Sequence, residues 1–364
     1  MSLAGVVSHS ISAAPLGGPA MALDGKNNKR ASGKIERSTE ADPHVTLTLC
    51  VMSGQITVRG WDKSEVRARS SDAQEIAFRR IDKTKDSSKP ATRIDIMITD
   101  KSEQDDAKHD CQATADVELD VPMGCTVQVQ TRDGDISITG VAAAYAGSQN
   151  GDISIERAAR LVEAGSVGGS ISLKDSSGRI NLNSAGGGVV VANTRPLSPD
   201  DSLEVGTVSG DIELEGVSNA KVVAKTVNGN VTMMGPLAHG GHYGFTTMSG
   251  DVSLELPEDA SFQLNAKISE SKELVSDFPL KFTADPSTPA PAPKPAPSVA
   301  PVPEAPTAKA KPPLKSGPME RPVIVKPNVV VVPYPLRRIY AVCGSGDAII
   351  YVASFGGTLR LQKQ

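Results

Sequence analysis

A single short phrase recurs along this chain: a strand-like run ending in Thr or Ser, then x-[Asn/Ser/Asp]-Gly-[Asp/Asn]-[Ile/Val]-x-[Ile/Leu]. It reads Thr131-Arg132-Asp133-Gly134-Asp135-Ile136-Ser137-Ile138, then Ser148-Gln149-Asn150-Gly151-Asp152-Ile153-Ser154-Ile155, and again from Thr207, Thr226 and Thr247. From one turn glycine to the next the interval is 17 residues (134 to 151), 18 (151 to 169), 19 (210 to 229) and 21 (229 to 250). Self-similarity at a nearly fixed period marks a repeat architecture, in which each unit buries its apolar side against its neighbours.

Within each unit the apolar residues alternate, as they do in strands with one buried face. After the turn, Ile136/Ile138, Ile153/Ile155, Ile212/Leu214, Val231/Met233 and Val252/Leu254 point inward. Before it, Val127/Val129, Val162/Ala164, Leu203/Val205, Val222/Ala224 and Tyr243/Phe245 form the opposing inward face. The expected fold is therefore all-β, a β-solenoid-like stack of two-strand repeats. An antiparallel sandwich is the alternative, because Asn-Gly is also a strong hairpin signal. Gly178 and Gly188 fall at short intervals after Gly169 and read as shorter half-units. The turn glycine is expected to supply a φ > 0 position, with its Asn, Ser or Asp neighbours capping backbone groups.

The phrase also occurs upstream, around Ser53-Gly54-Gln55-Ile56-Thr57-Val58-Arg59-Gly60-Trp61-Asp62, and downstream, around Gly344-Ser345-Gly346-Asp347. Longer strand-like runs at 66–69, 76–81, 94–98 and 115–121 suggest a wider N-terminal part of the same sheet. Residues 286–335 break the pattern, holding 16 of the chain's 26 prolines. Such a segment lacks ladder donors and favours extended, exposed chain, so it reads as a disordered Pro/Ala-rich insertion. The organisation is then a tail or degenerate export signal over 1–39, a β-repeat domain over 40–285, the insertion at 286–335, and a final repeat at 336–364 that caps the domain. The tail closes on Ala20-Met21-Ala22 but lacks a basic start, which leaves signal and disordered tail both open.

The Gly-Trp-Asp element and the ladder of Ser/Asn-Gly-Asp turns resemble the bacterial DUF4097 family of β-strand-repeat, adhesin-like proteins, over about 44–285 and 337–362. The resemblance implies a parallel β-solenoid-like fold and an exported or envelope-associated location. It brings no catalytic residues with it.

A net charge of -4 gives no general reason to bind nucleic acid, and no run approaches the roughly 18 apolar residues of a membrane-spanning helix. Four cysteines lie at 50, 111, 125 and 343 without CxxC spacing. Cys111 and Cys125 could pair in an exported protein, although buried free thiols are the commoner arrangement.

Candidate chemistry is sparse. Asp135, Asp152, Asp211 and Asp251 recur beside the turn glycine, and turn capping accounts for them better than calcium, which needs several oxygen ligands per turn. Asp133 with Asp135 is the one doubled acid, and Trp61 the one tryptophan; these three are the candidate ligand-binding residues. His239-Gly240-Gly241-His242 lacks a third ligand and reads as a loop, and Gly186-Gly187-Gly188 lacks the Lys and helix of a phosphate loop. No metal or cofactor is expected. The function expected is non-enzymatic: an envelope-associated or surface module binding an unknown protein or glycan. The alternative, a β-helix enzyme acting on polysaccharide, needs an aromatic-lined groove that six Phe, five Tyr and one Trp make hard to build.

Overall fold

Alternation of apolar and polar residues over four to eight positions gives strands throughout. The computed structural model describes residues 34–81, 89–99, 111–283 and 336–364, and all its regular elements there are β-strands. The repeats stack in parallel. Each coil contributes one strand to a first ladder, turns a corner at the Gly, and contributes a second strand to a second ladder. In the first ladder Leu161–Ser166 lies between Ala143–Ser148 and Arg179–Ser184, with Val162 opposite Ala144 and Ile180. In the second, Ile153–Glu156 lies between Ile136–Thr139 and Ile171–Lys174, with Ile153 opposite Ile136 and Ile171. Like stands beside like at every level, which is the in-register stacking the repeat implies. Strand Ile35–Ser53 runs through both ladders, pairing Glu65–Ser70 in one and Thr126–Asp133 in the other.

The inward residues of the two ladders meet in a narrow aliphatic core. Ile153, Ile171, Val189, Ile212, Val231, Val252 and Leu359 form one buried column, and Val162, Ile180, Leu203, Val222, Tyr243 and Ile350 face them from the first ladder. A fully buried aliphatic side chain contributes about 1.5–3 kcal/mol. Because every coil supplies several, the core is a continuous seam, and no single coil could hold itself together. Among the described residues antiparallel pairing is confined to the two ends, at 75–80 with 94–99, 35–40 with 65–70 and 67–69 with 118–120 at one, and at 262–269 with 336–343 and 281–282 with 341–342 at the other. The sandwich alternative is thereby excluded.

Three expectations are corrected. The region of Gly178 and Gly188 holds no half-units. Ile171–Lys174 and Arg179–Ser184 are strands of the two ladders, and the corner glycine of that coil is Gly187. Next, the corner glycines Gly134, Gly151, Gly169, Gly187, Gly210, Gly229, Gly250 and Gly357 are not in the left-handed region. They are glycine because the corners stack so closely: a Cβ on Gly151 would lie 1.8 Å from the carbonyl oxygen of Gly134, and one on Gly210 2.4 Å from that of Gly187. Gly54, the first-corner glycine of the coil 46–61, does have φ > 0, at 121°; in the coils that follow positive φ occurs instead at the second corner, where Gly140, Arg157, Asp175, Asn193 and Gly216 carry it in succession.

The third correction concerns the returning segment. Leu336–Cys343 does lie on the outer side of Phe262–Ser269. Ala348–Ser354, however, is inserted between His242–Thr247 and Phe262–Ser269, and Leu359–Lys363 between Val252–Leu256 and Leu274–Ser276. The last coil is internal, not a cap. Ser261 Oγ secures its entry by accepting the backbone N–H groups of Ser345 (3.0 Å) and Gly346 (2.9 Å). The N-terminal end repeats the device: the coil of residues 46–61 is inserted between strands Ala91–Thr99 and Thr126–Asp133, and between Val117–Pro122 and Ile136–Thr139. The Pro-rich insertion and most of the N-terminal tail lie outside the described residues.

Candidate functional site

The first corner is where the repeated residues converge, and its chemistry is an exchange of hydrogen bonds between coils. The Oδ1 of Asp135 accepts the backbone N–H of Asp152 (2.9 Å), and that of Asp152 accepts Ser170 (2.7 Å). Further along, Asp211 accepts Asn230 (2.7 Å), Asn230 accepts Asp251 (2.9 Å) and Asp251 accepts Thr358 (2.7 Å). Each side chain thus caps the equivalent position of the next coil, which explains why Asn substitutes for Asp at 230: only the acceptor oxygen is needed.

A second column runs beneath it. Ser166 Oγ donates to the Gly151 carbonyl (3.1 Å) while accepting the N–H of Gly169 (2.9 Å), and Ser184 does the same with Gly169 (2.8 Å) and Gly187 (3.0 Å). Thr207, Thr226, Thr247 and Ser354 donate likewise to Gly187, Gly210, Gly229 and Gly250. These hydroxyls are buried, and a buried polar group must be paired. From Ser148 onward the Thr or Ser that ends the pre-turn strand therefore ties together stacked glycines, whereas the buried Thr131 Oγ1 makes no such bond; the recurrence signalled this role but the residue's identity alone did not reveal it.

The three candidate residues are separated. Asp133 and Asp135 are exposed at the first corner, where Asp133 accepts a hydrogen bond from Asn150 Nδ2 (2.6 Å) and lies 3.7 Å from Arg132. Trp61 is at the opposite end of strand Ile56–Trp61, half-buried. Its Nε1 donates to the Glu65 carbonyl (2.8 Å), and Lys63 and Arg67 stand 4.7 and 4.8 Å from its ring centroid. The ring is engaged with its own hairpin. The histidine loop is likewise held by local bonds, Ala238 N–H to Tyr243 Oη (2.7 Å) and Gly240 N–H to the Asp347 carbonyl (3.1 Å). Among the described residues no three His, Cys, Asp or Glu side chains are placed to hold a metal ion.

Asp251 is the corner acid with a distinct environment. Partial burial pushes its carboxyl up, but the Thr358 N–H and the guanidinium of Arg360 outweigh this and hold it below the usual carboxylate range. The bond ties the inserted last coil to its neighbour. At the other inserted coil the tie is covalent: Cys50 is joined to Cys111, not Cys111 to Cys125. Cys125 and Cys343 are buried free thiols, and burial pushes Cys125 up to about 12. Cys50 and Cys111 pair because stacking sets strand Ile35–Ser53 beside the segment leading to Ala113, whose carbonyl accepts the Met52 N–H (2.9 Å). Nothing in their 61-residue separation announced this.

A two-ladder parallel β-solenoid closed by stacked Ser/Asn-Gly-Asp corners is thus the class the geometry defines. Residues 144–283 match the family model Toastrack DUF4097, a span that holds the corners from Gly151 to Gly250 but not the Gly60-Trp61-Asp62 element on which the resemblance also drew. No curated protein matches the chain. A solved structure from Clostridium sporogenes, described as a "putative cell adhesion protein", is similar at 10% identity with a TM-score of 0.16, covering 90% of this chain and 99% of that one.

Proposed function

We propose that this protein is a non-enzymatic binding or scaffold module that works outside the cytoplasm, in or on the cell envelope. The observation that carries the reading is how the repeated side chains are used. The corner acids are engaged in capping successive coils, and the outer face of the second ladder offers a partner a repeated polar surface. On the second ladder Thr57, Ser137, Ser154 and Ser172 stand side by side in adjacent strands, with Arg59, Thr139, Glu156 and Lys174 in the next outward column. Hydroxyl and charged groups repeating at the ~4.8 Å strand spacing suit an extended partner held by many weak bonds. The ligand class is an envelope glycan or protein surface.

The Cys50–Cys111 disulfide supports the location, since such bonds form and persist in oxidising compartments. The resemblance to the DUF4097 family, which implies an exported or envelope-associated location, points the same way. A screen against envelope fractions and glycans, run beside a polysaccharide-cleavage assay, tests the function. Saturable binding without turnover is the expected outcome. Cleavage abolished by replacing one or two acids would replace this reading with the enzymatic one. Mass spectrometry of the mature N-terminus from fractionated cells tests the location, and recovery of the reduced protein from the cytosol would overturn it.

A further inference from the structure

The residue that follows the Thr or Ser ending each pre-turn strand points out of the first corner, and in six consecutive coils it is apolar: Val167, Ala185, Val208, Val227, Met248 and Phe355. The corners are held in register by the bonds Gly186 N–H to Val167 O, Ser209 to Ala185, Asn228 to Val208 and Ser249 to Val227, all 2.8–2.9 Å. These side chains therefore form one unbroken line. Val167 is 60% exposed, Val208 41%, Val227 36% and Met248 47%. In the preceding coils the same position holds Arg132 and Gln149, so the ridge has a defined beginning.

We propose that this ridge is a self-association surface on which a second copy of the chain docks ridge to ridge, the two stacks running in the same direction about a two-fold axis along the contact. The inference stands independently of the binding function above. Its first support is charge. On the first-ladder side of the ridge Lys225 is exposed, and on the second-ladder side stands the exposed Asp211; neither makes an ion pair among the described residues. A two-fold along the ridge sets the first-ladder side of one copy against the second-ladder side of the other. Lys225 then faces the side of its partner that carries Asp211, offset by one coil along the stack, twice over. The opposite, antiparallel pairing would set lysine against lysine.

The second support is shape. Along one flank run Gly168, Gly186, Ser209, Asn228, Ser249 and Gly356, and along the other Gly165, Asn183 and Gly206. These mostly small positions leave room for the apolar line of a partner, so the surface is self-complementary, as an isologous contact requires. The third is area. The ridge exposes on the order of 400 Å², as large as the principal apolar patch of an ordinary monomer. That is about half of the ~800 Å² each partner gives to a standard interface, so the pairing is reversible and concentration-dependent.

The test uses the full chain with Val227→Cys, because a two-fold along the ridge places residue 227 opposite itself. Under mild oxidation V227C is expected to form a disulfide-linked dimer about tenfold faster than a control Ser154→Cys on the outer face of the second ladder, through its higher effective concentration. Sedimentation velocity of the wild type should show an average mass rising with concentration, and Val227→Glu, at an exposed position, should abolish the rise while leaving circular dichroism unchanged. Equal cross-linking of V227C and S154C overturns the proposal, as does a wild type that stays monomeric across the series. Preferential linkage of Val167→Cys to Phe355→Cys in a mixture of the two variants overturns the parallel arrangement.

Discussion

Asp152 accepts the backbone N–H of Ser170, one coil further along the stack, at 2.7 Å. The bond needs an oxygen acceptor and not a charge, since Asn230 makes the same bond to Asp251. Asp152→Asn should leave the midpoint of urea unfolding nearly unchanged. Asp152→Ala should lower stability by about 0.5–1.5 kcal/mol, the net worth of a typical hydrogen bond whose donor water can reach once the acceptor is gone. Equal losses in the two variants would show that the charge matters.

The corner glycines and the outer-face glycines should respond in opposite ways. A Cβ at Gly210 would sit 2.4 Å from the Gly187 carbonyl oxygen, whereas one at Gly165 would meet nothing nearer than 3.8 Å. Gly210→Ala must push two coils apart and is expected to cost at least about 1–3 kcal/mol, the usual range for overpacked interior sites. Gly165→Ala should be neutral or stabilising by about 0.5–1 kcal/mol, because it restricts the unfolded chain. Chemical denaturation of the two variants checks both.

The Cys50–Cys111 bond closes a span of 61 residues. In the chain-entropy account a loop of that length is worth about 4 kcal/mol, so Cys50→Ser with Cys111→Ser should reduce stability by an amount approaching that figure. Peptide mapping without reduction should recover 50 linked to 111. Cys125, its thiol buried and pushed up to about 12, should resist alkylation until the protein unfolds.

Acid stability should depend on Asp251. Its folded carboxyl is held below the ordinary range, so it contributes stability above the unfolded value of about 3.9, and that contribution is lost as pH falls through the lower folded value. The stability of wild type relative to Asp251→Asn should therefore shrink as the pH is lowered below about 4. Unfolding curves over a pH series read this directly, and a constant difference would contradict it. Arg360→Gln should lessen the same pH dependence.

The fold was legible because the period, the Thr or Ser before the corner and the two-residue alternation all specify one coil. Ile153 and Ile155 could be assigned inward from their spacing alone. What stayed hidden depends on relations between coils. That Gly151 is glycine because Gly134 lies against it is a stacking constraint, and a sequence read one coil at a time suggests a turn conformation instead. The order of coils was equally out of reach, since residues 348–363 carry the same motif whether they stack last or are inserted. The candidate site was read from rarity, as the one doubled acid and the one tryptophan, and rarity did not bring Asp133 and Trp61 together. The apolar line from Val167 to Phe355 was visible as letters, yet only in-register corners make it a line.

The two inserted coils change what it means for this stack to begin and end. A simple solenoid can fray, its outermost coil peeling away as its own chain end pulls free. Here residues 46–61 and 348–363 are each gripped on both sides, so loosening either one means parting two sets of ladder bonds at once. Assembly acquires an order as a result. Residues 262–276 pair directly with the inserted strands Ala348–Ser354 and Leu359–Lys363, so their place in the parallel ladders is completed only when chain synthesised much later threads in beside them. The stack is thus less like a spool with two loose ends than like a zip fastened by a pin at either end, the second pin being supplied by the last part of the chain to join the ladders.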